Sequence, residues 1–234
     1  MVIGKGLIAS VVSPYREQER FVIFASGVSD SKTTNPDAFE REFDLLKDTL
    51  ASHQDKLLVY FSTCSINDPD LQENAYIKHK LRLEKYIREN ASHFTIFRVS
   101  NIVGQTGNPA TVVNFFYYHI KEGRHFNLWV NSVRNLIDID DMFHLTDHIL
   151  QKGLFRNQVI NIANPHDYPV KDIVAALESA MGKKADYTPV NKGIPFRIDI
   201  SQVLPLVKEL RIEFGEGYLS HLINKHYTVK SLLT

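Results

Sequence analysis

Short, almost unbroken apolar runs recur along the first part of the chain: Met1-Val-Ile, Arg20-Phe-Val-Ile-Phe-Ala25, Lys56-Leu-Leu-Val-Tyr-Phe61 and Phe94-Thr-Ile-Phe-Arg-Val99. Between them lie longer stretches whose apolar residues return every three or four positions. One runs from about Pro36 to Ser52, with Phe39, Phe43, Leu46 and Leu50 on one face, and another from about Tyr76 to Asn90. A strand buried on both faces reads as a continuous apolar run, whereas a helix covering it reads as a stripe. The alternation therefore predicts an α/β fold, a doubly wound parallel sheet of about five strands.

Beyond Gly104 the alternation loosens into a Gly107-Asn-Pro109 turn, an aromatic helix from about Ala110 to Glu122 and an extended piece from Phe126 to Val130. It resumes with a helix over Asp140 to Gln151 and a strand at Gln158-Val-Ile-Asn-Ile-Ala163. From Asn164 onward the pattern predicts a helix closed by Gly182, a loop around Gly193 to Pro195 and helical segments to the C-terminus. The expected organisation is a nucleotide-binding core from 1–104 and 134–163, and a small, mainly helical substrate lobe from 105–133 and 164–234 that roofs the sheet.

Composition narrows the function classes. A chain of 234 residues, 44% hydrophobic, fits one domain with a large elaboration. Lys plus Arg balance Asp plus Glu at 27 each, so no whole-chain footprint for nucleic acid or an anionic membrane exists. No apolar stretch approaches the roughly 18 residues that cross a bilayer, and Met1 leads into Val-Ile-Gly without a charged leader, so a cytoplasmic location is expected. The one cysteine, Cys64, cannot form an internal disulfide and reads as a small buried hydrophobe.

The chemistry concentrates in Tyr60-Phe-Ser62-Thr63-Cys64-Ser65, followed by Tyr76-x-x-x-Lys80 and Glu84. Residues at i and i+4 share a helical face, so the Lys80 ammonium can sit near the Tyr76 phenol. A cation there favours phenolate and is expected to bring the phenol's pKa down from about 10 toward working pH, as acid–base catalysis needs. Thr63 or Ser62 would hold the substrate oxygen. The other Tyr-x-x-x-Lys, Tyr117 with Lys121, follows no hydroxyl-tipped strand and reads as core and surface.

At the start of the chain, Gly4-Lys-Gly6-Leu-Ile-Ala9 reads as a very short strand, a tight glycine turn and a helix start, where backbone amides can approach a pyrophosphate. His144 and His148 share a helical face but lack a third ligand, so they read as surface or interface residues and no metal site is expected. Asp138, Asp140 and Asp141 read as helix-capping residues, and Trp129 as lobe core.

Together these residues resemble the extended short-chain dehydrogenase/reductase superfamily, specifically its NAD-dependent epimerase/dehydratase family acting on nucleotide-linked sugars. The carrying pieces are Gly4-x-Gly6-x-x-Ala9, Phe24-Ala25-Ser26-Gly27, Ser62-Thr63-Cys-Ser65, Tyr76-x-x-x-Lys80, Arg98-Val-Ser-Asn101-Ile-Val-Gly104 and Arg134-Asn-Leu-Ile-Asp138-Ile-Asp140-Asp141. The resemblance implies a Rossmann-like core and a catalytic set of Thr63, Tyr76 and Lys80. It implies a cofactor, NAD or NADP, held by Gly4, Gly6, Ala25, Ser26, Gly27, Ser62 and Lys80. It implies a nucleotide-sugar substrate gripped by Asn101 and by Arg134 through its phosphates, and a possible homodimer.

The sequence departs from the family in two places. Roughly a dozen residues, Ser10 to Arg20, replace the two strands and a helix that build the adenosine half of the cofactor pocket. The first strand should therefore be a sheet edge. Cys64 and Ser65 stand where the dehydratases carry an Asp-Glu pair, which leaves epimerisation or keto-sugar reduction. The alternative is a redox-inactive sugar-nucleotide-binding protein that has lost the dinucleotide pocket.

Overall fold

The computed structural model describes residues 1–28, 30, 32–105 and 108–228. In chain order the first half forms β1 (Val2–Ile3), α1 (Leu7–Val11), β2 (Phe21–Phe24), α2 (Pro36–Ser52), β3 (Leu57–Thr63), α3 (Ala75–Asn90), β4 (Phe94–Val99) and β5 (Asn101–Val103). The second half forms α4 (Val112–Glu122), β6 (Phe126–Trp129), β7 (Val133–Asp138), α5 (Ile139–Lys152) and β8 (Gln158–Ile162). After these come β9 (Asp167–Pro169), α6 (Val170–Met181), β10 (Tyr187–Val190), α7 (Leu204–Glu209) and α8 (Tyr218–Tyr227).

The main sheet is five-stranded in the order β1-β2-β3-β4-β8, and every pairing is parallel. Alternate side chains of each strand face opposite layers, as the two-residue pleat requires. Val22, Phe24, Leu58, Tyr60, Phe94 and Ile96 pack with Leu46 and Leu50 of α2 and Leu83 and Ile87 of α3. Phe21, Ile23, Val59, Phe61, Phe97 and Val99 join the larger cluster with Met142, Leu145 and Ile149 of α5. Both faces are covered, so the sheet is doubly wound, Rossmann-like, with β1 at its edge. Among the described residues β1 pairs only with β2.

Three differences from the sequence pattern have physical reasons. The apolar stripe places Phe43 on the buried face of α2, yet the helix buries Glu42 at 5% exposure. Phe43 instead lies half-buried against Tyr86, with ring centroids 5.1 Å apart. Trp129 is not core: it is 42% exposed, with the Lys192 ammonium 5.7 Å from its ring centroid. Strand β10, Tyr-Thr-Pro-Val, escapes prediction because it is short, polar and carries a proline. It pairs in parallel with β6 as an edge strand, where a missing N–H is tolerated. Two further short elements, β7 and β9, join β5 in a three-stranded sheet. Gly107 of the expected turn and residues 229–234 lie outside the described residues.

The carboxyl ends of the strands are tied to the C-terminal segment through Asp138. Its carboxylate caps α5 by accepting from the Asp140 N–H (2.9 Å), and it also accepts from Lys225 (2.8 Å) and lies 3.2 Å from His226 of α8. Burial pushes this carboxyl up, but the bonds from His226, Lys225 and the Asp140 amide outweigh it and hold the pKa at about 2. A depressed carboxylate stabilises the fold above its unfolded value and loses that contribution as pH falls through the folded one. Stability should therefore drop between about pH 4 and pH 2, by on the order of 1–2 kcal/mol after discounting for the solvent-facing Lys225. Urea midpoints of the wild type across that window should show the drop, and Asp138→Asn should flatten it.

Gly4 makes a second expectation. Its φ is +131°, and a Cβ there would sit 2.4 Å from the Ala25 carbonyl oxygen. Gly4→Ala should cost about 2–4 kcal/mol in urea unfolding, with an unchanged m-value.

Candidate active site

The candidate site lies past the carboxyl ends of β2 and β3, where open parallel sheets bind ligands. Strand β3 ends at Thr63, whose hydroxyl accepts from the Ser65 N–H at 3.1 Å and so caps the following turn. Helix α3 starts one loop later. Asn74 caps it by accepting from the N–H groups of Tyr76 (2.9 Å) and Ile77 (3.3 Å), which fixes Tyr76 in the first turn. The Thr63 hydroxyl stands near the Tyr76 phenol and acts to lower its pKa.

One turn further along α3, the Lys80 ammonium lies 5.6 Å from the Tyr76 ring centroid and 5.6 Å from that of Tyr60. Helical spacing thus brings Tyr76 and Lys80 together, but the ammonium is already paired. It donates to Glu42 Oε1 at 2.7 Å, and both side chains are about 5% exposed or less. The second carboxylate oxygen of Glu42 accepts from the Val28 N–H at 2.8 Å and meets His79 Nε2 at 3.0 Å. Burial pushes the Glu42 carboxyl up, yet His79, Lys80 and the Val28 amide together hold it below the usual range, so it is ionised.

This pairing corrects the expected acidity of Tyr76. Burial raises the phenol to about 12, the Thr63 hydrogen bond pulls the other way, and the Glu42 charge adds to the rise. The Lys80 charge is answered by Glu42 and leaves nothing over to favour phenolate. The Tyr60 hydroxyl, buried in the same place, completes no hydrogen bond.

Glu42 is the residue that sequence reasoning missed. A signal existed: it sits three positions after Phe39 and four before Leu46, on the stripe itself. Gly27 belongs to the same arrangement. A Cβ at that position would lie 2.7 Å from Glu42 Oε1 and 3.0 Å from Lys80 Nζ, so the loop closes over the pair only with glycine.

Ser62 stands beside this cluster but turns to another carboxylate. Its hydroxyl donates to Glu84 Oε1 at 2.6 Å, and Arg98 donates to both Glu84 oxygens at 2.9 and 2.6 Å. Glu84 is fully buried and this bidentate pair satisfies it. Cys64 donates to the Arg98 carbonyl, and burial lifts its thiol to about 12, as an inert cysteine requires.

Asn101 and Arg134 meet on the small sheet, since β5 and β7 pair in parallel with Asn101 opposite Leu136. The Asn101 amide donates to the Asn135 carbonyl at 2.9 Å. Arg134 donates to its neighbour's carbonyl, Val133, at 2.7 Å, and its charge faces the buried Asp68. The glycine turn seats Gly4 against Ala25, while nothing lies within 4 Å of a Cβ built on Gly6. A ligand can therefore approach the backbone at Gly6. Ala25 and Ser26, half-buried at the end of β2, border this turn. Of the two histidines on α5, His144 is exposed and His148 lies 3.4 Å from Glu209.

No curated protein matches the chain. Solved structures of similar fold include a UDP-glucose 4-epimerase from Thermus thermophilus in complex with NAD, at 17% identity and TM-score 0.68, covering 97% of this chain and 82% of that one. A UDP-glucuronic acid 4-epimerase from Bacillus cereus, with NAD, aligns at 18% identity and TM-score 0.73 over 99% and 82%. A dTDP-glucose 4,6-dehydratase from Bacillus anthracis, with NAD, aligns at 15% and 0.68 over 99% and 79%. The family described as NAD dependent epimerase/dehydratase matches residues 25–163, leaving the glycine turn outside the matched stretch. Because that match spans more than half of the chain, this protein belongs to the NAD dependent epimerase/dehydratase family.

Proposed function

We propose that the protein is an NAD(P)-dependent epimerase or keto-reductase acting on a nucleotide-activated sugar. One observation carries the reading. Tyr76, in the first turn of α3, lies beside Thr63 at the carboxyl end of β3, with the Lys80 ammonium 5.6 Å from its ring centroid. Tyr76 exchanges a proton with the reacting sugar oxygen, Thr63 holds that oxygen, and Lys80 stands beside the phenol with its charge paired to Glu42. Asn101 and Arg134 grip the sugar nucleotide from the small sheet, beneath a lobe formed by 105–133 and 164–234. The similar structures include UDP-glucose and UDP-glucuronic acid 4-epimerases and a dTDP-glucose 4,6-dehydratase, which supports this substrate class.

The residues present fit one half of a dinucleotide. Gly4 and Gly6, with Ala25, Ser26 and Gly27, would hold its pyrophosphate and nicotinamide side, and Lys80 would be the residue to reach the nicotinamide ribose. Bound there, the cofactor supplies the hydride chemistry. The adenosine side meets β1, a sheet edge among the described residues, so affinity should be modest. A second reading, a sugar-nucleotide binder without redox chemistry, is favoured by that edge and by the engagement of Lys80 with Glu42.

Thermal unfolding separates the two readings. A rise in Tm with NAD(H) or NADP(H) at millimolar concentration or below supports the enzyme, and a rise with UDP-sugar alone supports the binder. In the enzyme, Tyr76→Phe should lower kcat by about 10²–10⁴-fold while keeping the dinucleotide-induced Tm rise. Undiminished turnover in that variant would contradict the assignment of Tyr76.

A further inference from the structure

The buried group with no part in the chemistry so far is Glu42, and its surroundings are built to keep it ionised. Its carboxylate takes the Val28 N–H, the Lys80 ammonium and the His79 ring, on two oxygens, at 2.7–3.0 Å. His79 is stacked on Phe39 with ring centroids 4.6 Å apart, and its Nδ1 is buried without a hydrogen-bond partner. With Nδ1 unpartnered, the ring N–H is assigned to Nε2, which faces Glu42 Oε2 at 3.0 Å. One positive and one negative charge remain, and they cancel.

The other titratable groups packed against the pair are few. From α3 come Tyr76 and Glu84, and Glu84 is itself held by Arg98 of β4 and Ser62 of β3. From β3 comes Tyr60, which lies beneath the ammonium. The loop after β2 contributes only backbone, and Gly27 leaves the carboxylate its space. Removing Glu42 would thus take away a negative charge that raises the Tyr76 phenol and leave Lys80 without its partner.

We infer that Glu42 is a positioning residue of the reaction centre: by neutralising Lys80 it keeps the Tyr76 phenol protonated, setting the resting site to give a proton rather than take one. The chemistry favoured is reduction of a sugar ketone. Hydride adds to the carbonyl carbon from a reduced nicotinamide dinucleotide, which leaves oxidised. The carbonyl π pair moves to oxygen, the Tyr76 O–H bond breaks, and its proton forms the new hydroxyl. Solvent then reprotonates the phenolate. This inference rests on the reading of Tyr76 as the acid–base group and chooses between its two reaction classes.

The test is tyrosinate absorbance of the ligand-free protein as a function of pH, each variant being compared with the same variant carrying Tyr76→Phe so that Tyr76 is isolated from the other tyrosines. Glu42→Gln should lower the pH at which Tyr76 ionises by at least about one unit, a tenfold change in proton affinity. Glu42→Asp, which retracts the carboxylate from Lys80 by one methylene, should give a smaller shift of the same sign and remains readable if Glu42→Gln does not fold. The pH dependence of kcat for ketone reduction should move to lower pH by the same amount. A folded Glu42→Gln or Glu42→Asp whose Tyr76 titrates unchanged, or at higher pH, would overturn the inference. Full turnover by Tyr76→Phe would sink the acid–base assignment while leaving the effect of Glu42 on the phenol intact.

Discussion

A carboxylate and an ammonium 2.7 Å apart, both almost wholly out of water, set the terms for the rest of the site. Desolvating either ion alone costs several kcal/mol, and mutual attraction offsets that cost only with good geometry and further hydrogen bonds. The chain meets the requirement with a backbone N–H, a neutral imidazole and a glycine that leaves the space open. The parts come from three segments: Val28 and Gly27 from the loop after β2, Glu42 from α2, His79 and Lys80 from α3. The pair therefore fastens both helices and the loop on one side of the sheet. The same contact decides how far the Lys80 charge reaches, and hence how readily the neighbouring phenol ionises.

A second constraint is what the fold leaves out. With only residues 12–20 between α1 and β2, β1 is an edge of the main sheet among the described residues. The carboxyl end of β7, in the small sheet, is the reinforced one. There Asp138 joins β7, α5 and α8 through a cap and two side-chain contacts, and Tyr218 donates to Asp141 at 2.7 Å while accepting from the Asp138 N–H.

Much of this was legible in the sequence because the relevant signals are local. Strands buried on both faces appear as apolar runs, and the i, i+4 spacing of Tyr76 and Lys80 needs only a helix. The Asp138 cap follows from its place before Ile139, and Gly182 closes α6 in the left-handed conformation, with φ of +61°. Glu42 was illegible as a partner, since Lys80 and His79 lie 38 and 37 residues away and a lone glutamate on a helix ordinarily faces solvent. The phenol's acidity differs in sign from the sequence expectation because local spacing shows neither the burial of Tyr76 nor the Glu42 charge beside it. Trp129 was misplaced for a different reason. Its size suggests core, whereas strand alternation puts Phe126 and Leu128 inward and Trp129 outward.

The central claim is that Glu42 and Lys80 are energetically one unit, and a double-mutant cycle on unfolding free energy addresses it most directly. Glu42→Gln and Lys80→Met should each destabilise by about 3–5 kcal/mol, because each leaves its partner's charge buried and alone. The double variant should be less destabilised than the sum of the two by at least about 2 kcal/mol. Single effects that simply add would show that the two charges are held independently, and the account of how the phenol is kept protonated would fail with them.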